Sequence, residues 1–204
     1  MTTPTLPMSA IPSTEAGDAD ATASLTAMWG GRSPAAASDA VWVPVVSGAL
    51  VLVAGTMSLA TKQPWLFAGL GPTVLLLASN PGHATARFHN IVVGHVTGLA
   101  CAWLSLLLLG AATAPTLFGG PTPVVRVWAS AFAVALTAAV QPSLRADHPP
   151  AAATALLVTL GVYKATWKTS LHLLAGVLVV AIAGEWFRRV RLAQRERAGR
   201  ASLT

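Results

Sequence analysis

Residues 90–112 read NIVVGHVTGLACAWLSLLLLGAA. The run contains no Asp, Glu, Lys or Arg, and its one imidazole is His95. A helix rises 1.5 Å per residue, so about 20 apolar residues cross roughly 30 Å of hydrocarbon. This run is long enough, and it predicts a membrane-spanning helix.

The same reading extends outward to six apolar stretches, at about residues 40–60, 64–79, 90–112, 124–141, 150–163 and 171–187. The second and fifth are short and would reach only about 24 Å and about 21 Å as helices. They are either half-helices buried in protein or short tilted spans. Both have proline at or near the start, with Gly71-Pro72 in one and Pro149-Pro150 at the head of the other. Proline is tolerated in a first helical turn, where its missing N–H matters least. The predicted fold is therefore all-α, a polytopic membrane bundle with four to six membrane segments, two of them short and Pro-led. Residues 41–112 and 124–187 each read as long, short, long. Three passages per unit would make such a repeat inverted.

Charge supports a membrane fold. Only 10% of the 204 residues are charged, against about 25% in an ordinary soluble domain. Between Ala40 and Phe187 the charged residues are Lys62, Arg87, Arg126, Arg145, Asp147, Lys164, Lys168 and Glu185. The net charge is +6, and six of the thirteen basic residues lie in one short tail: Arg188, Arg189, Arg191, Arg195, Arg197 and Arg200. Arginines directly after an apolar run mark a cytoplasmic anchor rather than a nucleic-acid surface. With an even number of crossings both termini are cytoplasmic, and the expected location is the plasma membrane. Three segments follow: 1–39, rich in Pro, Thr, Ser and Ala and expected to be disordered; 40–187, the transmembrane domain; and 188–204, the basic cytoplasmic tail. Residues 1–39 lack the basic start and apolar core of a signal peptide. Cys101 is a lone cysteine in an apolar run and reads as a small buried hydrophobe. Glu185 precedes Arg188 and Arg189 by three and four residues, the spacing of a helical ion pair.

Two polar clusters interrupt the apolar pattern. One runs from Ser79 through Asn80, Pro81, His83, Thr85, Arg87 and His89 to Asn90, and reaches Gly94-His95; the other runs from Gln141 through Arg145, Asp147 and His148 to Pro149-Pro150. Each combines Arg, His and Pro beside a helix start. A helix N-terminus offers free N–H groups and partial positive charge, and arginine adds fixed charge. Together they suit a small anion, although Arg87 and Arg145 also fit simple markers at the lipid headgroups. His95, some five residues into its span, is either a neutral histidine bonding a neighbouring helix or a proton-relay group. Candidate substrate-binding residues are Asn90, His95, Arg145, His148, Pro149 and Pro150, with Arg87, His89 and Pro72 beside them. His83, His89, His95, His148 and His172 include no i, i+4 pair, so no metal site is expected. No nucleotide-binding or hydrolase signature is present, so neither an enzyme nor a cofactor is expected. Gly94-x-x-x-Gly98, continued by Ala102, makes a small-residue seam that would suit a homo-oligomer.

The sequence from Asp147 to Leu156, DHPPAAATAL, resembles the signature of the HPP family of integral membrane proteins. Gly71-Pro72-Thr73 and Asn90-x-x-x-Gly94-His95 resemble further elements of that family, in the family's order, and the resemblance covers roughly residues 41–187. His89 stands where many members carry arginine, which leaves Arg87 as the neighbouring cation. The resemblance implies a small membrane protein of few helices. Some plastid and cyanobacterial members are associated with nitrite transport, and most bacterial members have no assigned substrate. The expected function is a transporter or channel for a small solute, an inorganic anion such as nitrite. The alternative is a structural or regulatory membrane protein acting through partner proteins.

Overall fold

The computed structural model describes residues 34–201. Among these the chain forms six helices and no strand: α1 (Pro34–Thr61), α2 (Leu70–Ser79), α3 (Phe88–Leu108), α4 (Val124–Ser143), α5 (Ala151–Thr159) and α6 (Trp167–Ala201). Short 3-10 turns occupy Ala84–Ala86 and Leu117–Gly119. The chain divides into two units between Val41 and Trp42, and the packing below is that of the second. Of the segment expected to be disordered, residues 1–33 lie outside the described residues, while residues 34–39 open α1.

Among the described residues, four helices are long and apolar enough to cross a membrane: Ser38–Thr61 within α1, α3, α4 and α6. Their outward faces carry large apolar side chains, with Leu59 80% and Leu107 66% exposed. In water such faces would be sticky; in a bilayer they meet lipid. Trp128, Trp167 and Trp186, near span ends, are also exposed, as interfacial aromatics are. The protein is a polytopic helical membrane protein.

The two short helices have 10 and 9 residues, so they cover about 15 Å and about 14 Å, half the hydrocarbon depth. Of the two readings left open by the sequence, the structure has half-helices. The rest of each apolar stretch is turn and irregular backbone.

Side-chain contacts fix the directions. Trp42, early in α1, packs edge-on against Phe187, past the middle of α6, while Gly55 near the α1 end lies by Leu66, beside the Trp65 that meets Gly176 near the α6 start. Trp103, late in α3, donates to the Ser170 hydroxyl at the start of α6. Hence α1 and α3 run against α6. Trp65, Leu77 and Pro81 meet Gly176, Gly184 and Arg188 in turn, so α2 runs with α6. His148 and Ala151 meet Gly94 and Gly98, so α5 runs with α3. Gln141 reaches Gly94 while Arg126 reaches Thr159, so α4 runs against α3. The order long, short, long thus occurs twice, with opposite direction.

Glycines make this interleaving possible. A Cβ on Gly98 would lie 2.7 Å from the Ala151 carbonyl oxygen, and one on Gly94 would lie 2.6 Å from the His148 Cβ. Cβ atoms on Gly176 and Gly184 would run into the Trp65 backbone and the Leu77 side chain. The third helix of each triplet, α3 or α6, therefore seats the half-helix of the other triplet. This corrects the expectation that Gly94 and Gly98 form a seam between copies. Both are buried inside the chain, because the α5 start fills the groove they open.

The expected boundary at residue 188 has no counterpart in the helix, since α6 continues unbroken to Ala201. Glu185 forms the anticipated ion pairs, at 2.7 Å to Arg188 and 2.8 Å to Arg189. Arg188 also donates to the Pro81 carbonyl, and Arg191 is buried with its guanidinium 5.0 Å from the Trp42 ring. These arginines pack before the helix leaves the bundle.

The glycine contacts yield a stability test. Gly98→Leu should destabilise the protein by about 1–3 kcal/mol or more through forced backbone shifts. Gly48→Leu, where nothing lies within 4 Å of the new Cβ, should be near neutral. Thermal unfolding of both variants in the same detergent checks the contrast.

Candidate functional site

The α2 segment places Thr73, its fourth residue, on a fully buried face. The α5 segment places Thr154 at the corresponding fourth position, also fully buried. Between them stands His95 of α3, with no exposed surface. Its Nδ1 lies 2.8 Å from the Thr154 hydroxyl and its Nε2 lies 3.1 Å from the Thr73 hydroxyl. One imidazole therefore bridges the two half-helices.

The Thr73 hydroxyl has a second imidazole partner, His148 Nε2, also at 3.1 Å. His148 is equally sealed, and its ring centroid lies 5.0 Å from that of His95. Its Nδ1 lies 2.9 Å from the Thr85 carbonyl oxygen. Beyond it, the Thr85 hydroxyl is 2.7 Å from Nδ1 of the exposed His83.

The protons in this chain can be assigned from one fixed end. A carbonyl only accepts, so His148 carries its proton on Nδ1 and donates to Thr85. Both rings are sealed and, among the described residues, no carboxylate bonds them, so each is neutral with a single N–H. His148 Nε2 then accepts from the Thr73 hydroxyl. That hydroxyl has spent its only hydrogen, so His95 Nε2–H donates to the Thr73 oxygen. His95 Nδ1 is left bare and accepts from Thr154. The bonds run in one direction, from Thr154 through His95, Thr73 and His148 to the Thr85 carbonyl.

His148 is held by its backbone as well. Its N–H donates to Gln141 Oε1 at 3.1 Å, and Gln141 Nε2 donates back to the His148 carbonyl at 3.3 Å. Gln141 Nε2 also lies 3.4 Å from the Gly94 carbonyl. Asn90 Nδ2 donates to the Asp147 carbonyl at 3.1 Å. Asn90 and Gln141 are thus positioning residues for the turn that carries His148.

Of the residues nominated from the sequence, His95 and His148 meet directly, and Asn90 joins them through the backbone of the neighbouring residue. Pro72, Pro149 and Pro150 line a cavity of about 470 Å³ with Asn80, His83 and Thr85. It abuts the Thr85 end of the hydrogen-bond chain.

Three nominations do not join the cluster. Arg145 is exposed, with a left-handed φ of 50° where it ends α4. Its position is dictated by helix termination, because the next N–H, of Ala146, returns to the Gln141 carbonyl. Arg87 and His89 are exposed at the start of α3, and Arg87 makes no side-chain capping bond there.

The expected free N–H groups at the head of α5 are also corrected. The amides of Ala151, Ala152 and Ala153 donate to the carbonyls of His148, Pro149 and Pro150. The His-Pro-Pro turn is wound tightly enough to satisfy them itself. Thr73, Thr154 and Gln141 were not nominated as site residues from the sequence. The available signal was a polar residue at an otherwise apolar helix position, which is costly in lipid unless partnered.

A model of the family described as HPP, transmembrane region, matches residues 32–197. No curated protein matches the chain. No solved structure matches it either.

The shared hydroxyl makes a clear test. Thr73→Val leaves two sealed imidazole nitrogens without partners and should cost about 1–3 kcal/mol. Thr73→Ser keeps the hydroxyl and should recover most of that loss. Thermal unfolding in one detergent, followed by tryptophan fluorescence, compares the two.

Proposed function

The chain belongs to the HPP family of integral membrane proteins, and from that premise we propose that it carries a small inorganic anion, such as nitrite, across the membrane. The observation that carries the reading is the sealed His95–Thr73–His148 cluster, held between two half-helices inside the bundle. Ionisable groups at membrane depth are costly and mark solute or proton paths. Half-helices that end inside a bundle are how many transporters build such paths.

Charge supports an anionic solute. Residues 42–184 include six cations, Lys62, Arg87, Arg126, Arg145, Lys164 and Lys168, and one carboxylate, Asp147. In this reading the cavity beside Pro72 and Pro150 receives the solute from one side. The histidine cluster closes the way beyond it and opens by parting the two half-helices. The aligned hydrogen bonds suit a proton moving with the anion. The C-terminal arginines set orientation and place both termini in the cytoplasm of a cell whose plasma membrane holds the protein.

One observation favours the structural or regulatory alternative: the cluster is fully sealed, with both histidines at 0% exposure. Flux separates the readings. Purified protein in proteoliposomes should admit nitrite, with nitrate and formate competing. His95→Ala or His148→Ala should lower flux per inserted molecule by about tenfold or more, the effect of losing one buried hydrogen-bond partner. Replacing Arg195, Arg197 and Arg200 with glutamine should leave flux intact. Wild-type flux no greater than that of empty liposomes would refute transport of these anions.

A further inference from the structure

At the end of the bundle opposite the C-terminal arginines lies a second, unrelated polar site. Arg126, the third residue of α4, is only 3% exposed. Its Nε donates to the Pro115 carbonyl at 2.6 Å, Nη1 to the Thr159 carbonyl at 2.6 Å and Nη2 to the Ala114 carbonyl at 2.7 Å. Thr159 is itself fixed by Ser130, whose hydroxyl lies 2.8 Å from its own. The guanidinium is therefore anchored on the loop before α4 and the last turn of α5.

The anchoring leaves charge and donors unspent. A guanidinium has five N–H groups, and the three carbonyls use one on each nitrogen. One N–H remains on Nη1 and one on Nη2. Among the described residues no carboxylate is bonded to Arg126. Asp147, the one carboxylate between residues 42 and 184, sits before the opposite end of α5. Buried arginines are rarely left without an opposite charge.

Space is available beside it. Arg126 lines a cavity of about 310 Å³, shared with Thr116, Tyr163, Lys164 and Thr166. The lining thus adds a second cation and three hydroxyl groups. Gly161, at φ +77°, keeps the approach open: a Cβ there would lie 3.0 Å from the Arg126 Cζ and 2.9 Å from the Thr116 Cγ2.

We propose that this cavity binds a small monovalent oxyanion, held by the two remaining Arg126 N–H groups and by Lys164. The planar fork of a guanidinium matches a planar oxyanion such as nitrite, nitrate or formate better than it matches a spherical halide. The proposal rests on the transport reading only for the role of the bound ion, as the subsite at which solute enters or leaves opposite the Pro72 cavity. The site itself stands on the uncompensated buried charge and the cavity it lines.

The test is equilibrium binding of nitrite, formate and chloride to the purified full-length protein in nanodiscs at fixed ionic strength, read by titration calorimetry and by thermal shift. Lys164→Gln removes an exposed cation, and Ala112→Phe fills the cavity from its rim; neither disturbs the three carbonyl bonds. Each should weaken nitrite binding by about tenfold, with an unchanged melting temperature in the absence of anion. Arg126→Lys should abolish the preference for nitrite over chloride. If that variant fails to fold, the other two decide. Wild-type protein that binds no oxyanion, or binding unchanged in both Lys164→Gln and Ala112→Phe, overturns the site. Weakened binding with unaltered flux KM in those variants would overturn the site's role in transport while leaving both the site and transport standing. Intact binding without flux would retire transport while leaving the site.

Discussion

One hydroxyl, that of Thr73, stands between two imidazole nitrogens at 3.1 Å from each. The rest of the molecule is arranged around that contact. Hydrocarbon offers no hydrogen-bond partners, so each polar group placed within a membrane bundle must find one inside the protein. Two histidines, two threonine hydroxyls and a backbone carbonyl solve the problem for one another. The solution works only if α2, α3 and α5 come together, because each contributes a member: Thr73, His95 and Thr154. His148 enters from the turn before α5. The polar chain thus specifies which helices meet and at what depth, where apolar packing alone would leave sliding permitted.

Helix length is the second constraint. Half-helices of 10 and 9 residues cannot cross alone, and their irregular leads need protein on every side. The leads are seated on glycines of long helices, Trp65 against Gly176 and His148 against Gly94. Because each glycine-bearing helix belongs to the other triplet, neither triplet is complete by itself. Van der Waals contact at this range supplies the cohesion that the hydrophobic effect does not supply between helices in lipid.

Much of this was legible from apolar run lengths. The spans around residues 90–112 and 124–141 and the shortness of the Pro-led stretches follow from the bilayer's thickness. His95 and His148 were both nominated from the sequence, and the fold brings their ring centroids to 5.0 Å. The chemistry that joins them was not legible, since Thr73 and Thr154 look like ordinary small residues in apolar helices until the fold brings them to one ring. Arg145 misled for a related reason. Its neighbours in sequence are site residues, but a left-handed helix end turns its side chain outward. The Gly94–Gly98 seam was correctly read as a close-packing surface and wrongly given to another copy, because spacing on one helix does not say which helix fills it. Arg126 passed as one more charge near a span end; its burial depends on carbonyls from the 114–115 loop and from Thr159, which no local pattern reveals.

The direction of the hydrogen-bond chain is the central claim, and histidine tautomers report it directly. Solid-state NMR of ¹⁵N-histidine-labelled protein in lipid bilayers distinguishes protonated from bare ring nitrogens, with His95→Gln and His148→Gln variants assigning the signals. The chain requires opposite tautomers, with the proton of His148 on Nδ1 and that of His95 on Nε2. The same tautomer on both rings, or a doubly protonated ring at neutral pH, would contradict it.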